Sequence, residues 1–245
     1  MLIDSLTFTL EKSGCLDAFW GKLDAGEDGT LGVASSARPF LVAARFAHRP
    51  QPTLVVVAGE DAAVAFSRSL AAYLGDERVM RFPERSDPAQ VARRMEAVHA
   101  LASGREVVVV ASARALVRAL PPAGSDVHVP VALSAGRELA AMPGAQAASV
   151  TEFEDFAHAL EERGYRNTGE LDGPGTFAVR GGTIDVFPGN LVYPVRLDFF
   201  GDELEEIRRI VPTTGQTIQA LPDVSIYPVV EFSCSKRGLA RARQK

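Results

Sequence analysis

The chain has 245 residues, of which 47% are hydrophobic, so it is long enough to bury the core of one large domain or two small ones. Its 26 basic and 31 acidic residues give a net charge of −5, which disfavours a dedicated DNA-binding protein because no overall positive field attracts phosphates. Cys15 and Cys234 are far apart in sequence and predict neither a disulfide framework nor a zinc site. No segment reaches the roughly 20 apolar residues that cross a bilayer. A cytoplasmic protein without membrane contact is expected.

The first motif is LGVASSARPF, residues 31–40, which has the spacing of a phosphate-binding loop. In such a loop, backbone N–H groups surround the phosphate, a lysine reaches the terminal phosphates and a hydroxyl binds magnesium. Here Gly32 is followed at the corresponding positions by Ala37, Arg38 and Pro39, and proline has neither a hydroxyl nor an N–H. The segment is interpreted either as a plain strand-to-helix turn or as a degenerate phosphate loop. Both interpretations predict no bound cofactor or metal, and Pro39 suits the first turn of the following helix.

The next part of the chain alternates β-branched runs with alanine-rich helical stretches. TLVVV (53–57) and EVVVV (106–110) are continuous apolar runs, which are typical of parallel strands buried on both faces. Between them, EDAAVAFSRSLAAYLG predicts a helix that ends at Gly75, and SDPAQVARRMEAVHALASG predicts one with an aspartate cap before Pro88. This order predicts an α/β domain with a parallel sheet.

After residue 126 the pattern changes to α+β. VHVPVAL predicts a strand, and SVTEFEDFAHALEERGY predicts a helix that begins with Ser149 and Glu152 in capping-box spacing. TFAVR, GTIDVF, PVRLDFF and ELEEIRRI then predict strands, with a turn at Gly181-Gly182 and another at Gly201-Asp202. The basic tail SKRGLARARQK predicts a frayed or truncated end.

Alternation along these strands selects one candidate surface. In PVRLDFF, Val195, Leu197 and Phe199 point to one face, so Arg196, Asp198 and Phe200 point to the other. In TFAVR, Phe177 and Val179 share the apolar face, and Arg180 lies on the opposite side. If the two strands share a sheet, Arg180, Arg196 and Phe200 converge. Arginine beside an exposed aromatic ring is typical of a protein interface, but a solvated face with an Arg196–Asp198 pair and a covered phenylalanine fits the pattern equally well.

Catalytic candidates are weak elsewhere in the chain. His48, His99, His128 and His158 are scattered, and no nucleophile elbow or paired-carboxylate arrangement occurs. Cys15 is interpreted as an incidental thiol. The chain is therefore expected not to be an enzyme.

One long segment also resembles a known family. GYRNTGELDGPGTFAVRGGTIDVFP and PVRLDFFGDELEEIR resemble the UvrB-homology region at the N-terminus of bacterial transcription-repair coupling factor (Mfd), and the corresponding part of UvrB. The resemblance covers nearly the whole chain, weakly at first and strongly after Tyr165. It favours the interpretation of residues 31–40 as a decayed phosphate loop. The tyrosine-rich DNA-clamping hairpin of UvrB has no counterpart, since only GDERVMRFPERSDPAQ lies between Leu74 and Val91.

The resemblance implies a fold and a partner. It implies a degenerate P-loop-type α/β domain (1–117), an inserted α+β domain similar to UvrB domain 2 (118–209), and a truncated return to the first domain (210–245). In the family, the inserted domain binds UvrA, the damage-recognition ATPase of nucleotide excision repair, and the interface positions correspond to Arg180, Arg196 and Phe200. The implied function is a noncatalytic adaptor that recruits UvrA to stalled transcription complexes. In the full-length protein, a C-terminal domain masks this surface, and other domains contact RNA polymerase and DNA and carry an ATP-driven translocase.

Two other functions stay open at this stage. A UvrB-like nucleic-acid-binding ATPase fragment would bind nucleotide and single-stranded DNA. A structural scaffold domain would have no partner of its own, and replacing Arg180, Arg196 and Phe200 would change only local stability.

Overall fold

The computed structural model describes residues 12–117, 120, 127–147 and 149–232. The chain divides into two compact units: Met1–Phe82 with Ala100–Val117, and Pro83–His99 with Arg118–Lys245. The predicted frayed tail lies outside the described residues. Within the described part of the chain, no helix combines the length and the apolar character needed to cross a membrane.

The first unit alternates helices with short parallel strands. In chain order its elements are α1 (Asp17–Asp24), a 3-10 turn (Ser35–Ala37), α2 (Arg38–His48), β1 (Thr53–Val57), α3 (Glu60–Leu74), a second 3-10 turn (Asp76–Arg78), β2 (Val79–Phe82), β3 (Val108–Ser112) and α5 (Ala113–Leu116). The first turn of α3 contains Glu60 and Asp61, whose negative charges interact favourably with the positive end of the helix dipole. The helix ends at Gly75, which has φ +89°. Pro39 occupies the first turn of α2, as predicted.

The three strands of this unit form a parallel sheet in the order β1-β3-β2. The two predicted parallel strands are confirmed as neighbours. The prediction that both strands are buried on both faces is right for β3 and wrong for β1. Every residue of β3 is buried, whereas Leu54 and Val56 of β1 are 47% and 51% exposed. The reason is position: β1 lies at the edge of the sheet and β3 at its centre. Strand β2 was not predicted, because four residues that include Arg81 carry no clear apolar alternation.

The second unit is α+β. Its elements are α4 (Pro88–Ala102, of which the last turn belongs to the first unit), β4 (Val131–Ser134), β5 (Arg137–Glu138), a 3-10 turn (Leu139–Ala141), α6 (Pro143–Ala147), α7 (Phe153–Glu162), β6 (Arg166–Asn167), β7 (Thr176–Arg180), β8 (Thr183–Phe187), β9 (Val195–Phe200), β10 (Glu203–Ile210), β11 (Thr217–Leu221) and β12 (Asp223–Ile226). Seven strands form one sheet in the order β11-β10-β9-β8-β7-β6, with β5 also paired to β10. Strands β12 and β4 pair separately. The large sheet includes β11, which ends at Leu221, so it extends past residue 209, where the inserted domain was predicted to end. The domain limits of 1–117, 118–209 and 210–245 stay a prediction.

One face of the large sheet, together with side chains of α4 and α7, forms the core of the second unit. Its central members are Phe177, Ile184, Leu197 and Ile207, all fully buried. The same core contains an ion pair: Arg94 Nε donates to Glu231 Oε1 at 2.5 Å, and Arg94 Nη1 donates to the carbonyl of Pro83 at 2.7 Å.

The turn between β7 and β8 holds β9 in place. At the predicted Gly181-Gly182 turn, Gly181 has φ +60°, and a Cβ on Gly182 would lie 2.8 Å from the carbonyl oxygen of Phe199. Gly182 accepts a hydrogen bond from the Phe199 N–H at 2.8 Å. Glycine is therefore required where the β7–β8 turn meets β9.

The predicted capping box of α7 is wrong. Ser149 has φ +59°, and Glu152, the residue before the helix, makes no side-chain capping bond. Instead, Asp202 Oδ1 accepts the Phe153 N–H at 2.8 Å. The helix start is thus capped from the β9–β10 turn.

The predicted aspartate cap of α4 generates a pH-dependent prediction. Asp87 Oδ1 accepts the Gln90 N–H at 2.9 Å, and the hydrogen bonds from Ser86 and Gln90 hold the pKa of Asp87 below its ordinary value. We expect Asp87→Ala to lower the free energy of unfolding by about 1 kcal/mol at neutral pH. Because the native pKa is depressed, this stabilisation is complete above the unfolded-state pKa of about 4 and is lost as the pH falls through the native value.

Urea unfolding of both proteins between pH 2 and 7 measures this difference. Asp28→Ala, at an exposed aspartate outside any helix, is the control and should leave the profile unchanged. A difference between native protein and Asp87→Ala that stays constant down to pH 2 would contradict the cap.

Strand β9 supplies a second stability prediction, because adjacent phenylalanines point to opposite faces. Phe199 is buried, with its ring centroid 5.2 Å from that of Phe153 and 5.8 Å from that of Phe156. Phe200 is 77% exposed. We expect Phe199→Ala to cost about 3–5 kcal/mol and Phe200→Ala to stay within about 0.5 kcal/mol of the native protein, as measured by urea unfolding. Equal losses would refute the alternation.

Candidate functional site

The candidate site is the face of the large sheet opposite the core, formed by β7, β8, β9 and β10. We call it the charged face and define it by the residues that carry its chemistry: Arg180, Asp185, Arg196, Asp198, Phe200 and Arg208. The antiparallel register places Arg180 opposite Thr183, and Thr183 opposite Asp198. Asp198 shares its face with Arg196 and Phe200, two residues away on either side. The prediction that Arg180, Arg196 and Phe200 share one face therefore agrees with the register, although β8 separates β7 from β9.

Arg196 is held by a carboxylate on the neighbouring strand. Its Nε and Nη2 donate to the two oxygens of Asp185 at 2.7 and 2.8 Å, which is the side-on bidentate geometry of the strongest ion pairs. The Asp185 side chain is 8% exposed and that of Arg196 is 24% exposed. The hydrogen bonds that Arg196 donates to Asp185 raise the pKa of Arg196. The alternative prediction of an Arg196–Asp198 pair is wrong.

A second ion pair lies one strand along, and its arginine donates both hydrogen bonds to one carboxylate oxygen. Arg208 lies opposite Arg196 on β10, and like charges facing each other on adjacent strands are unfavourable. Arg208 Nε and Nη2 donate to Asp198 Oδ2 at 3.0 and 2.5 Å, and Thr183 Oγ1 donates to Asp198 Oδ1 at 3.0 Å. Each arginine of the facing pair is therefore neutralised by its own carboxylate.

Arg180 and Phe200 differ from these paired side chains. Arg180 Nη2 donates to the carbonyl oxygen of Gly169 at 3.0 Å, and it forms no salt bridge with any residue that the structure describes. Phe200 ends β9 and is 77% exposed, so the prediction of a covered phenylalanine is wrong. Val179, predicted on the core face, is 37% exposed near the end of β7.

The spacing of the three candidate residues suits a single protein partner. Strands lie about 4.8 Å apart, so the two inter-strand spacings from β7 to β9 place the Arg180 backbone about 10 Å from β9. Arg196 and Phe200 are four residues apart along β9, which is about 13 Å. An area of this size is a fraction of a standard protein interface. Directional donors around an exposed ring match the composition of interface hot spots.

The predicted phosphate loop has a different geometry from a phosphate cradle. Residues 27–34 form no strand, and a 3-10 turn separates this segment from α2. The interpretation as a strand-to-helix turn is therefore wrong about the strand and right about the helix. The N–H of Ala37 donates to the carbonyl of Ala34 at 3.0 Å, and that of Arg38 donates to the carbonyl of Ser35. Pro39, which is buried, has no N–H. The backbone donors that a phosphate would need are occupied or missing at these positions.

The same segment borders a cavity of about 1010 Å³ in the first unit. Its wall is mostly apolar and includes Trp20, Phe46, Leu54, Val56 and Phe66. Such a lining favours apolar groups over a nucleotide phosphate.

Sequence reasoning missed several contacts. His99 and His128, predicted to be scattered, have ring centroids 5.6 Å apart. No cluster of metal-binding side chains occurs in the described part of the chain. Asp185 was not identified as the partner of Arg196; the only available signal was its position at the centre of an otherwise apolar strand.

Comparison with known proteins places the charged face within a matched domain. Residues 146–232 match the UvrB interaction domain family. The chain is 33% identical to the transcription-repair-coupling factor of Myxococcus xanthus over 229 residues, and 26% identical to that of Bacillus subtilis (strain 168) over 223 residues. Each alignment covers 87% of this chain and 18% of the relative.

UvrB proteins are also similar. The UvrABC system protein B of Thermotoga neapolitana is 27% identical over 234 residues, which is 86% of this chain and 33% of the relative. The chain thus spans about a fifth to a third of the relatives that it matches. Residues 146–232 therefore resemble a UvrB interaction domain, in a chain that is similar over most of its length to the transcription-repair-coupling factors and to UvrB.

Proposed function

We propose that this chain binds UvrA through the charged face and acts as a noncatalytic adaptor in transcription-coupled nucleotide excision repair. The observation that carries the proposal is Phe200: a phenylalanine that is 77% exposed, on the same sheet face as Arg180 and Arg196, inside the matched interaction domain. An aromatic ring this exposed adds little to the core, whereas it can bury a large area against a partner.

The charges of the face support a protein partner with acceptor groups. Arg180 carries a charge that no carboxylate of the described residues neutralises, and Arg196 presents a fixed planar donor. These groups suit carboxylate or carbonyl oxygens on a protein, around a pocket for the Phe200 ring. The net charge of −5 argues against a general affinity for nucleic acid.

The adaptor role extends the proposal to the longer family architecture. In a full-length coupling factor, this surface would recruit UvrA to stalled transcription complexes, a C-terminal domain would mask it, and other domains would contact RNA polymerase and DNA. The occupied N–H groups of Ala37 and Arg38 support a chain without its own nucleotide chemistry, since they leave the loop few donors for phosphate.

The first prediction of this proposal concerns UvrA binding. We expect the chain to bind purified UvrA saturably in a calorimetric titration, and the triple variant Arg180→Ala, Arg196→Ala, Phe200→Ala to show no measurable binding. Phe200→Ala alone should weaken binding about 30-fold, the effect of a hot-spot residue worth about 2 kcal/mol.

The matched control removes the same residue types elsewhere in the second unit. Arg137 is exposed in β5, and Phe232 is exposed outside the large sheet. Arg209 is next to Arg208 on β10, so its side chain points away from the charged face. The variant Arg137→Ala, Arg209→Ala, Phe232→Ala should bind UvrA like the native chain. No complex with the native chain at tens of micromolar would refute the proposal; equal losses in both triple variants would move the binding site off the charged face.

A UvrB-like ATPase fragment is the alternative, and the similarity to UvrB of Thermotoga neapolitana is the observation that favours it. That function requires nucleotide binding and affinity for single-stranded DNA, which falls steeply with salt because bound counterions are released.

We expect neither activity. Fluorescence anisotropy with labelled single-stranded DNA at 50 and 200 mM salt should give weak binding at both concentrations, and equilibrium dialysis with radiolabelled ATP and Mg²⁺ should give no saturable binding. Intact UvrB serves as the positive control. Micromolar ATP binding that is lost in Arg38→Ala would establish the alternative.

A further inference from the structure

The centre of the charged face contains a buried carboxylate that the proposed interface does not use directly. Asp185 lies on β8, between β7 and β9, and is 6% exposed as a residue. It accepts two hydrogen bonds from the Arg196 guanidinium, at 2.7 and 2.8 Å. Buried carboxylates are costly unless they are paired, so this position needs an explanation. An ion pair that served stability alone could be replaced, both partners together, by apolar residues of similar volume at little cost.

We propose that Asp185 is the positioning residue of the docking surface: it fixes the Arg196 guanidinium so that the edge with Nη1 is presented to the partner. Nε and Nη2 lie on one edge of the planar group and are committed to Asp185, which leaves Nη1 on the other side. The inference rests on the proposed function, because it assumes that Arg196 contacts UvrA. The partner group that fits this edge is an oxygen acceptor, either a carboxylate or a main-chain carbonyl.

Fixing the side chain in advance has a physical benefit. A free arginine has many rotamers, and binding must select one of them. In the folded chain the selection has already been made by the two hydrogen bonds that Arg196 donates to Asp185 on β8. Association then loses less side-chain entropy, which is the general effect of preorganisation.

The first unit supplies a control carboxylate that also holds arginine side chains. Asp24 Oδ1 accepts hydrogen bonds from Arg45 at 2.5 Å and from Arg49 at 2.7 Å, and none of these residues belongs to the charged face. Asp24→Asn therefore alters an arginine–carboxylate contact without changing the charged face.

The test is a double-mutant cycle on UvrA binding with four proteins: the native chain, Asp185→Asn, Arg196→Ala and the double variant. We expect Asp185→Asn to weaken binding about tenfold, the upper effect of releasing one ordered side chain. In the Arg196→Ala background the same substitution should change affinity less than about twofold, because a positioning residue acts only through the group that it positions. Asp24→Asn should also change affinity less than about twofold.

Two further measurements separate positioning from folding. Hydrogen exchange of the Arg196 Nε–H, followed by NMR on the chain without UvrA, should accelerate in Asp185→Asn and not in Asp24→Asn. Arg196→Lys keeps the positive charge and leaves Asp185 intact, but it lacks the planar fork. It should bind UvrA nearly as weakly as Arg196→Ala, and it keeps the proposal testable if Asp185→Asn fails to fold.

The outcomes distinguish this inference from the proposed function. If Arg196→Ala binds like the native chain, the proposed surface is wrong and the inference falls with it. If Arg196→Ala weakens binding while Asp185→Asn or Arg196→Lys does not, the adaptor function stands and the positioning role is refuted. If Asp185→Asn weakens binding by the same factor in both backgrounds, Asp185 acts independently of Arg196, which also refutes the inference.

Discussion

The register between β8 and β9 is the constraint on which the second unit depends. It places Ile184 opposite Leu197 and Asp185 opposite Arg196, so one pairing scheme assembles the core on one face and the central ion pair on the other. A slip of one residue would exchange the two faces and bury charged groups in the core. The core contacts and the bidentate ion pair thus specify the same register from opposite sides of the sheet. The charged face is therefore as firmly determined as the core.

The buried ion pair between Arg94 and Glu231 joins two segments that are far apart in sequence. Arg94 and Glu231 are 137 residues apart and both fully buried, and Glu231 also accepts a hydrogen bond from Arg85 at 3.2 Å. A buried pair of this kind adds little net stability over an apolar replacement, but losing one partner leaves a buried charge and is strongly unfavourable. Its effect is to tie the segment after β12 to α4. The second unit is closed by this polar contact as well as by its apolar core.

The sequence made some of these features predictable and left others out of reach. Alternation identified β7 to β10 and the shared face of Arg180, Arg196 and Phe200, because side-chain direction in a strand is a local property. The exposed face of β1 was missed, since edge or centre depends on strand order. The cap of α7 comes from Asp202, 49 residues beyond Phe153, and local spacing pointed to Ser149 instead. Long-range partners such as Asp185 for Arg196 need the register, which local patterns do not contain.

Strand β9 separates the requirements of folding from those of recognition. Its odd-numbered residues, Val195, Leu197 and Phe199, are buried, and the even-numbered Arg196 and Phe200 carry the candidate interface. Phe199 anchors the end of the strand, while the Gly182 contact and the Asp202 cap of α7 fix the adjoining turns. The backbone at Phe200 is thus positioned by its neighbours, although its own exposed ring is not part of the core. Such an arrangement lets the exposed residues vary with the partner while the buried ones preserve the sheet that presents them.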